Sequence, residues 1–255
     1  MKVSRQMALV TGGGSGLGAA TARLLARQGA KVAILDFDES TGKTVADEIG
    51  GIAIVADVSD EASVEAGFVS AIDALGTAPR IVVNCAGIGR AARVVGRDGK
   101  LSTDLFEQTI RVNLFGTYYV MSHAARAMQA LEPANDDGER GVIVNTSSVA
   151  WQDGQLGQTA YAASKGAIAS LCLPAARELA KTGIRVMTIA PGLFQTPMME
   201  GLPKEVSAQI TSDIPFPTRL GDADEYAQLA EQIITNPFLN GTTIRLDGAV
   251  RLPPK

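Results

Sequence analysis

A tyrosine and a lysine stand four residues apart in a segment otherwise rich in small residues. The segment reads QTAYAASKGAIASL at residues 158–171, with the phenol of Tyr161 and the ammonium group of Lys165. In a helix, residues at this spacing share one face, so the two groups lie side by side. A nearby cation lowers the pKa of a tyrosine from about 10, as a general acid or base near neutral pH requires. The spacing therefore predicts a proton-transfer pair.

Two serines, Ser147 and Ser148, end a predicted strand upstream of this pair. A hydroxyl at the carboxyl edge of a sheet can donate a hydrogen bond to a substrate oxygen on which charge develops. By residue type alone, either serine suits this role.

A glycine-rich turn, TGGGSGLG at residues 11–18, lies between the first apolar run and a helical pattern. Glycines let the backbone approach a pyrophosphate closely, and the amides at a helix start favour its negative charge. The turn therefore predicts a dinucleotide site, although an ordinary strand-to-helix turn has the same composition.

An acidic residue, Asp36, ends the next predicted strand, 18 residues beyond Gly18. This is where a carboxylate accepts hydrogen bonds from the ribose hydroxyls of adenosine, unless Asp36 merely caps a strand or helix. A carboxylate would repel a 2′-phosphate, and Ser15, Leu17 and Phe37 supply no cation to offset that repulsion. NAD is therefore favoured over NADP.

The elements that must position these residues alternate along the chain. Short runs rich in Val and Ile alternate with amphipathic stretches, the pattern of a doubly wound Rossmann-type α/β fold with helices on both faces of a parallel sheet. The seven predicted strands span residues 7–11, 31–36, 52–56, 81–84, 141–147, 184–190 and 243–246. We expect a single domain over residues 1–255, with substrate loops at 89–100 and 191–219.

Composition limits the class of protein. The 255 residues are 46% hydrophobic and 20% charged, with a net charge of -4, which argues against a nucleic acid partner. Cys85 and Cys172 belong to no metal-type spacing, so we expect no metal site and a reduced, cytoplasmic protein. No apolar run is long enough for a membrane span.

Taken together, these motifs resemble those of the short-chain dehydrogenase/reductase family. The turn at residues 11–18 matches T-G-x-x-x-G-x-G, and residues 161–165 match Y-x-x-x-K. The stretch NCAG at residues 84–87 is similar to the family's N-N-A-G, with Cys85 replacing the second asparagine. The family spacing selects Ser148 over Ser147.

The resemblance implies a role for each matching residue. Ser148 would orient the substrate oxygen, Tyr161 would be the general acid/base, Lys165 would assist it, and Asn113 would position a relay water. The cofactor-binding residues would be Gly12, Ser15, Gly16, Leu17, Gly18, Asp36, Asp57, Val58, Cys85, Ala86, Gly87, Tyr161, Lys165, Phe194 and Thr196. The family also implies a homotetramer.

Longer stretches are similar to one branch of the family, the type 2 3-hydroxyacyl-CoA dehydrogenases. These include RGVIVNTSSV at residues 140–149 and NPFLNG at residues 236–241. The implied reaction is the NAD-dependent interconversion of a 3-hydroxyacyl-CoA and a 3-oxoacyl-CoA, with Gln155 near the substrate carbonyl. The alternatives are an alcohol or hydroxysteroid dehydrogenase that does not use CoA, and a non-catalytic NAD-binding scaffold.

Two further segments have the chemistry of substrate contacts. A basic cluster of Arg90, Arg93, Arg97 and Lys100 could meet the phosphates of coenzyme A, or could simply be a solvated loop. The apolar residues Met198, Met199, Leu202 and Pro203 could form a lid over an acyl chain, or could be core.

Overall fold

A seven-stranded sheet organises the chain, which the computed structural model describes over residues 1–197 and 211–254. The strands are β1 (Met7–Thr11), β2 (Lys31–Asp36), β3 (Ile52–Val55), β4 (Ile81–Asn84), β5 (Gly141–Thr146), β6 (Ile184–Pro191) and β7 (Thr243–Leu246). Their order is β3-β2-β1-β4-β5-β6-β7, and every pairing is parallel. The predicted doubly wound parallel sheet is confirmed.

Helices cover both faces of this sheet. In the described ranges they are α1 (Gly16–Arg27), α2 (Glu39–Ile49), α3 (Glu61–Leu75), α4 (Thr103–Ile110), α5 (Gly116–Gln129), α6 (Thr159–Leu179) and α7 (Ala223–Thr235). One core cluster joins buried residues of the sheet to α1, α2 and α7, and a second joins the sheet to α3, α5 and α6. Strands β4, β5 and β6 are buried along their whole length, which explains their continuous apolar runs. No described helix is long and apolar enough to cross a membrane.

The predicted strand ends are off by one residue at three places. β3 ends at Val55 rather than at residue 56, and β5 ends at Thr146 rather than at residue 147. β6 extends to Pro191 rather than ending at residue 190, and Pro191 pairs with Leu246 of β7. These shifts move no site residue away from the carboxyl edge of the sheet.

The apolar pattern over residues 104–130 predicts one continuous helix, but the structure interrupts it. A π-helical turn, Arg111–Phe115, separates α4 from α5 and contains the buried Asn113. The extra residue of a π turn changes which face its side chains occupy, and such turns occur often at functional sites. Periodicity does not reveal this turn, within which Asn113 makes hydrogen bonds to residues distant along the chain.

By residue type, Ser102 and Asp222 are both candidate helix N-caps, but they behave differently. Asp222 forms a capping box with Glu225, so α7 begins at Ala223. Ser102 precedes α4 but does not cap it, because its hydroxyl donates a hydrogen bond to the carbonyl of Arg93 at 2.8 Å. That bond ties the start of α4 to the loop after β4.

An ionic cluster lies at the amino edge of the sheet. Glu139, just before β5, accepts hydrogen bonds from the amino group of Met1 at 2.9 Å and from Nε of Arg185 at 2.9 Å. Arg185, at the start of β6, also donates to the carbonyls of Ile233, Ile234 and Leu239. Burial alone would raise the pKa of Glu139, but the amino group and Arg185 hold it below its ordinary value.

Candidate active site

The predicted site residues come together at the carboxyl edge of the sheet. They follow the ends of strands β1 to β6, on both sides of the point where the chain order reverses between β1 and β4. Ligands of open parallel sheets bind at such a switch point. The fold thus brings the glycine turn, Asp36 and the tyrosine–lysine pair to one edge.

The glycine turn is shaped so that side chains would not fit. Gly12 has a φ of 62°, and a β-carbon there would lie 2.8 Å from the amide nitrogen of Ala86. A β-carbon at Gly18 would overlap the carbonyl oxygen of Gly12. Ser15 precedes α1 without capping it, and the first turn of this fully described helix has no acidic side chain. The amides and dipole at this helix start therefore suit an anion.

Asp36 is held at this turn by the main chain. Its carboxylate accepts hydrogen bonds from the amides of Gly14 at 2.8 Å and Asp38 at 3.0 Å. Asp38, not Asp36, caps the following helix, because its side chain accepts from the amides of Ser40 and Thr41. Asp38 therefore takes the helix-capping role, and the hydrogen bond from the Asp38 amide to Asp36 closes the end of β2.

Two of the predicted cofactor-binding residues, Asp57 and Val58, follow β3. Asp57 accepts hydrogen bonds from the amide and hydroxyl of Ser59, at 2.9 Å and 2.7 Å. Val58 is buried, and a β-carbon at Gly116 would lie 2.8 Å from its side chain. The Asp57 carboxylate thus fixes its own loop, and Val58 packs against the start of α5.

The proton-transfer pair lies on α6, as the spacing predicts. The Nζ atom of Lys165 lies 5.7 Å from the centre of the Tyr161 ring and donates to the main-chain carbonyl of Thr146 at 2.8 Å. Ser148 stands at the start of a 3₁₀ turn, Val149–Trp151, that follows β5. Strand β5 and helix α6 thus supply the serine, the tyrosine and the lysine.

The two serines differ in how their hydroxyl hydrogens are used. Ser147 donates its hydrogen to the carbonyl of Lys165 at 2.7 Å, so it serves the packing of β5 against α6. The Ser148 oxygen accepts a hydrogen bond from the amide of Ala150 at 3.2 Å, so its own hydrogen stays available for donation. Hydrogen-bond geometry therefore favours Ser148, as the family spacing does.

The protonation of the pair differs from the sequence expectation. Burial raises the pKa of Tyr161, and interaction with the Ser148 side chain opposes part of this rise. Lys165 is not what sets the tyrosine pKa here. Burial instead lowers the pKa of Lys165 to about 8, because a desolvated ammonium group is less stable than a neutral amine. At neutral pH, Tyr161 is therefore a protonated phenol that can act as an acid.

Asn113 links the π turn to the pair. Its Oδ1 accepts from the amide of Ile88 at 2.8 Å, and its Nδ2 donates to the carbonyl of Ile88 and to the Ser164 hydroxyl, both at 3.0 Å. A β-carbon at Gly87 would lie 3.1 Å from Asn113 Oδ1 and 3.5 Å from Lys165 Nζ. A water relay through Asn113 would therefore use a second lone pair of Oδ1 or the main-chain carbonyl.

Sequence reasoning missed a polar group beneath the pair. The Thr146 hydroxyl lies 2.7 Å from the hydroxyl of Tyr226, a fully buried residue of α7, and donates to the carbonyl of Asn84 at 2.5 Å. Cys85, which replaces the family's second asparagine, lies 3.7 Å from the Tyr226 oxygen, and burial raises the pKa of its thiol. Thr146 directly precedes Ser147 and Ser148, so the sequence brings it to notice. Nothing in the sequence around Tyr226 indicates a place in the site, because only folding brings α7 next to Thr146.

The loop after β6 reaches back to the glycine turn. A β-carbon at Gly16 would lie 3.4 Å from the Thr196 side chain. Phe194 is buried against Gly221, so any cofactor contact at Phe194 would be made by its main chain. The expected lid residues Met198, Met199, Leu202 and Pro203 lie outside the described residues.

Two predicted substrate contacts lie on other loops. The side-chain amide of Gln155 donates to the carbonyl of Pro253 at 3.0 Å. Arg97 and Lys100 of the basic cluster lie on a turn closed by a bridge between Val95 and Leu101, and Arg90 and Arg93 precede that turn. All four cations of the cluster are exposed, and one of them, Arg90, donates to Gln108 at 3.0 Å.

Comparison with known proteins agrees with this geometry. Residues 6–207 match the family model for short chain dehydrogenase. The chain is 47% identical to the 3-hydroxyacyl-CoA dehydrogenase type-2 of Drosophila melanogaster, over 99% of this chain and 100% of that protein. It is 48% identical to the Homo sapiens protein of the same name, over 97% and 96% of the two chains. A crystal structure of 3-hydroxyacyl-CoA dehydrogenase type-2 from Mycobacterium avium, 44% identical, superposes with a TM-score of 0.90 over 98% of this chain and 97% of that chain. The chain belongs to the short-chain dehydrogenase family.

Proposed function

We propose that this oxidoreductase interconverts 3-hydroxyacyl-CoA and 3-oxoacyl-CoA thioesters with NAD as its cofactor. The observation that carries the proposal is the convergence of Ser148, Tyr161 and Lys165 on the sheet edge that also holds the glycine turn and Asp36. The names of the relatives supply the substrate class.

The protein residues handle the proton and the orientation of the substrate. Ser148 donates a hydrogen bond to the oxygen of the reacting carbon, where charge develops. In the reductive direction, Tyr161 gives its phenolic proton to that oxygen, and in the oxidative direction the phenolate takes the proton back. Lys165, whose Nζ atom lies 5.7 Å from the centre of the Tyr161 ring, then relays a proton between Tyr161 and solvent through a water held by Asn113. A bound nicotinamide cofactor supplies or accepts the hydride.

The choice of NAD follows from the acidic residue. Asp36 ends β2 with its carboxylate fixed by two main-chain amides, which supports a role in accepting hydrogen bonds from the ribose hydroxyls of adenosine. A 2′-phosphate at this point would meet a negative charge, and the adjacent Phe37 provides no cation.

The substrate class is supported by charge near the site. Arg93, Arg97 and Lys100 are exposed on the loop after β4, where they suit the phosphates of coenzyme A. The competing reading, an alcohol or hydroxysteroid dehydrogenase without CoA, would leave this basic cluster without a use. In a non-catalytic scaffold, the arrangement of Ser148, Tyr161 and Lys165 would have no function.

We also propose a cytoplasmic homotetramer that binds neither nucleic acid nor membrane. Phe106, Phe115 and Tyr118 expose large apolar side chains on α4, the π turn and α5, which supports self-association there. Cys85 and Cys172 are free thiols, as in a reducing compartment. Light scattering of the purified chain tests the oligomeric state.

The deciding experiment follows NADH oxidation with acetoacetyl-CoA as substrate. We expect turnover with NADH and far less with NADPH, and no comparable turnover of CoA-free alcohols or hydroxysteroids. Tyr161→Phe should lower kcat about 10³-fold, as expected for losing a general acid, while leaving NADH affinity unchanged. Substantial turnover by Tyr161→Phe would contradict the mechanism, and preference for a CoA-free substrate would contradict the substrate class.

A further inference from the structure

The segment at residues 152–158 joins the two halves of the candidate site. It begins after the 3₁₀ turn that follows Ser148 and ends where α6, which carries Tyr161, begins. Its position makes it part of the wall that a substrate would meet. None of the cofactor-binding positions assigned above lies within it.

Arg245 of β7 donates hydrogen bonds to the first two residues of this segment. It donates to the carboxylate of Asp153 at 2.6 Å and 3.3 Å, and to the side-chain oxygen of Gln152 at 2.7 Å. Its Nε atom donates to Asp247 at 2.7 Å, and Nη2 donates to the carbonyl of Val250 at 3.0 Å. One guanidinium group thus joins the segment to the chain that follows β7.

These groups are largely shielded from water. The exposed fractions of the Arg245, Asp153 and Asp247 side chains are 17%, 11% and 10%. Ion pairs between shielded, hydrogen-bonded groups resist screening more than surface pairs do, and a guanidinium group can serve two carboxylates at once. The contact therefore constrains the segment more firmly than a surface pair would.

The end of the chain holds the same segment at its far side. Gln155 Nε2 donates to the carbonyl of Pro253, and the amide of Leu156 donates to the carbonyl of Pro254, both at 3.0 Å. The carbonyl of Gly157 accepts from the amide of Ala92, in the loop after β4, at 2.8 Å. The segment is thus held between that loop and the residues after β7.

We propose that Arg245 is a positioning residue for the acyl substrate. By fixing Gln152 and Asp153, it holds the segment between Ser148 and Tyr161 in the shape that receives the thioester. The idea rests on the proposed function for its substrate. Its predicted signature is a loss of substrate affinity without a loss of NADH affinity.

Arg245→Met removes the charge and keeps most of the side-chain stem. We expect KM for acetoacetyl-CoA to rise about tenfold, the equivalent of about 1.4 kcal/mol, with the dissociation constant of NADH unchanged. Arg251→Met is the matched control, because Arg251 also bonds Asp247, at 3.2 Å, but is 65% exposed. The control should leave both constants unchanged.

Asp153→Asn guards against a folding defect in the first variant, because asparagine keeps the size and one acceptor oxygen. It should raise KM for acetoacetyl-CoA in the same direction and leave NADH binding intact. Unchanged KM in both variants, or a parallel loss of NADH affinity, would overturn the proposal. If the wild-type protein turns over only CoA-free alcohols, the proposed substrate fails, and the same two constants measured with the alcohol then decide the role of Arg245.

Discussion

The free-energy cost of burying Lys165 in the folded protein depends on pH. Burial lowers its pKa from 10.5 to about 8, so between these values the native chain has released a proton that the unfolded chain still holds. The unfolded state binds more protons in this window, and stability therefore rises with pH across it. Below about pH 8 both states are charged, and the folded state bears the whole cost of burying the ammonium group.

Lys165→Met should therefore stabilise the protein most at neutral pH. We expect a gain of up to roughly 3 kcal/mol at pH 7, the equivalent of the lowered pKa, that shrinks as the pH approaches 10.5. Urea unfolding of both proteins at several pH values measures the difference. Lys181→Met, at an exposed lysine, should change stability by less than about 0.5 kcal/mol throughout. A gain that is independent of pH would contradict the assigned cause.

Among the elements, the glycine turn between β1 and α1 shows what local spacing can reveal. Spacing predicted this turn, Asp36 and the Tyr161–Lys165 face, because each depends on neighbours along the chain. It failed at the π turn, where Asn113 makes hydrogen bonds to Ile88 and Ser164, which are distant along the chain. It also gave the wrong sign for the pKa of Tyr161, because burial raises this pKa and burial is a property of the folded chain.

A comparison of Gly12 with Gly50 separates two reasons for a glycine in the turn: its left-handed backbone conformation and its close contact with neighbouring atoms. Gly12 and Gly50 share a φ of 62°, but a β-carbon would lie 2.8 Å from Ala86 N at Gly12 and would meet nothing within 4 Å at Gly50. Alanine at either position costs about 1–2 kcal/mol of left-handed strain. We expect Gly12→Ala to cost about 1–3 kcal/mol more through overpacking, and to weaken NADH binding.

Urea unfolding and fluorescence titration with NADH measure the two effects. Gly50→Ala should show the strain alone, with NADH affinity unchanged. Equal losses of stability and of NADH affinity in the two variants would show that strain, rather than contact with Ala86, governs this turn.

At the scale of the molecule, stability and chemistry occupy opposite edges of the sheet. The cluster of Met1, Glu139 and Arg185 lies at the amino edge, whereas the candidate site lies at the carboxyl edge. Nothing in the spacing of these three residues linked them, since their contacts span 46 and 138 positions. Arg245 and Asp153, like Thr146 and Tyr226, are also far apart in the sequence and meet only in the folded chain. Local sequence patterns therefore could not predict the residues that support the site.

Glu139→Gln should separate folding from catalysis. It leaves the buried Arg185 and the amino group of Met1 without a countercharge, which costs about 3–5 kcal/mol. Because the pKa of Glu139 is lowered in the folded state, its contribution is present above the unfolded pKa and is lost as pH falls through the folded one. The difference from wild type in urea unfolding should therefore shrink in acid.

Turnover per folded molecule should stay unchanged in Glu139→Gln, since the cluster lies away from the site. Glu132→Gln, at an exposed glutamate nearby, should shift stability by less than about 0.5 kcal/mol. A fall in kcat of the folded Glu139→Gln protein would contradict the separation of the two edges.

The contacts of Arg245 also set an order in time. A chain leaves the ribosome from its amino end, so Ser148, Tyr161 and Lys165 emerge well before Arg245 and the carbonyls of Pro253 and Pro254 that hold residues 152–158. A nascent or prematurely terminated chain can thus contain Ser148, Tyr161 and Lys165 before the residues that hold segment 152–158 have been synthesised. Under the proposed role of Arg245, the contacts that position the substrate are therefore synthesised after the proton-transfer residues.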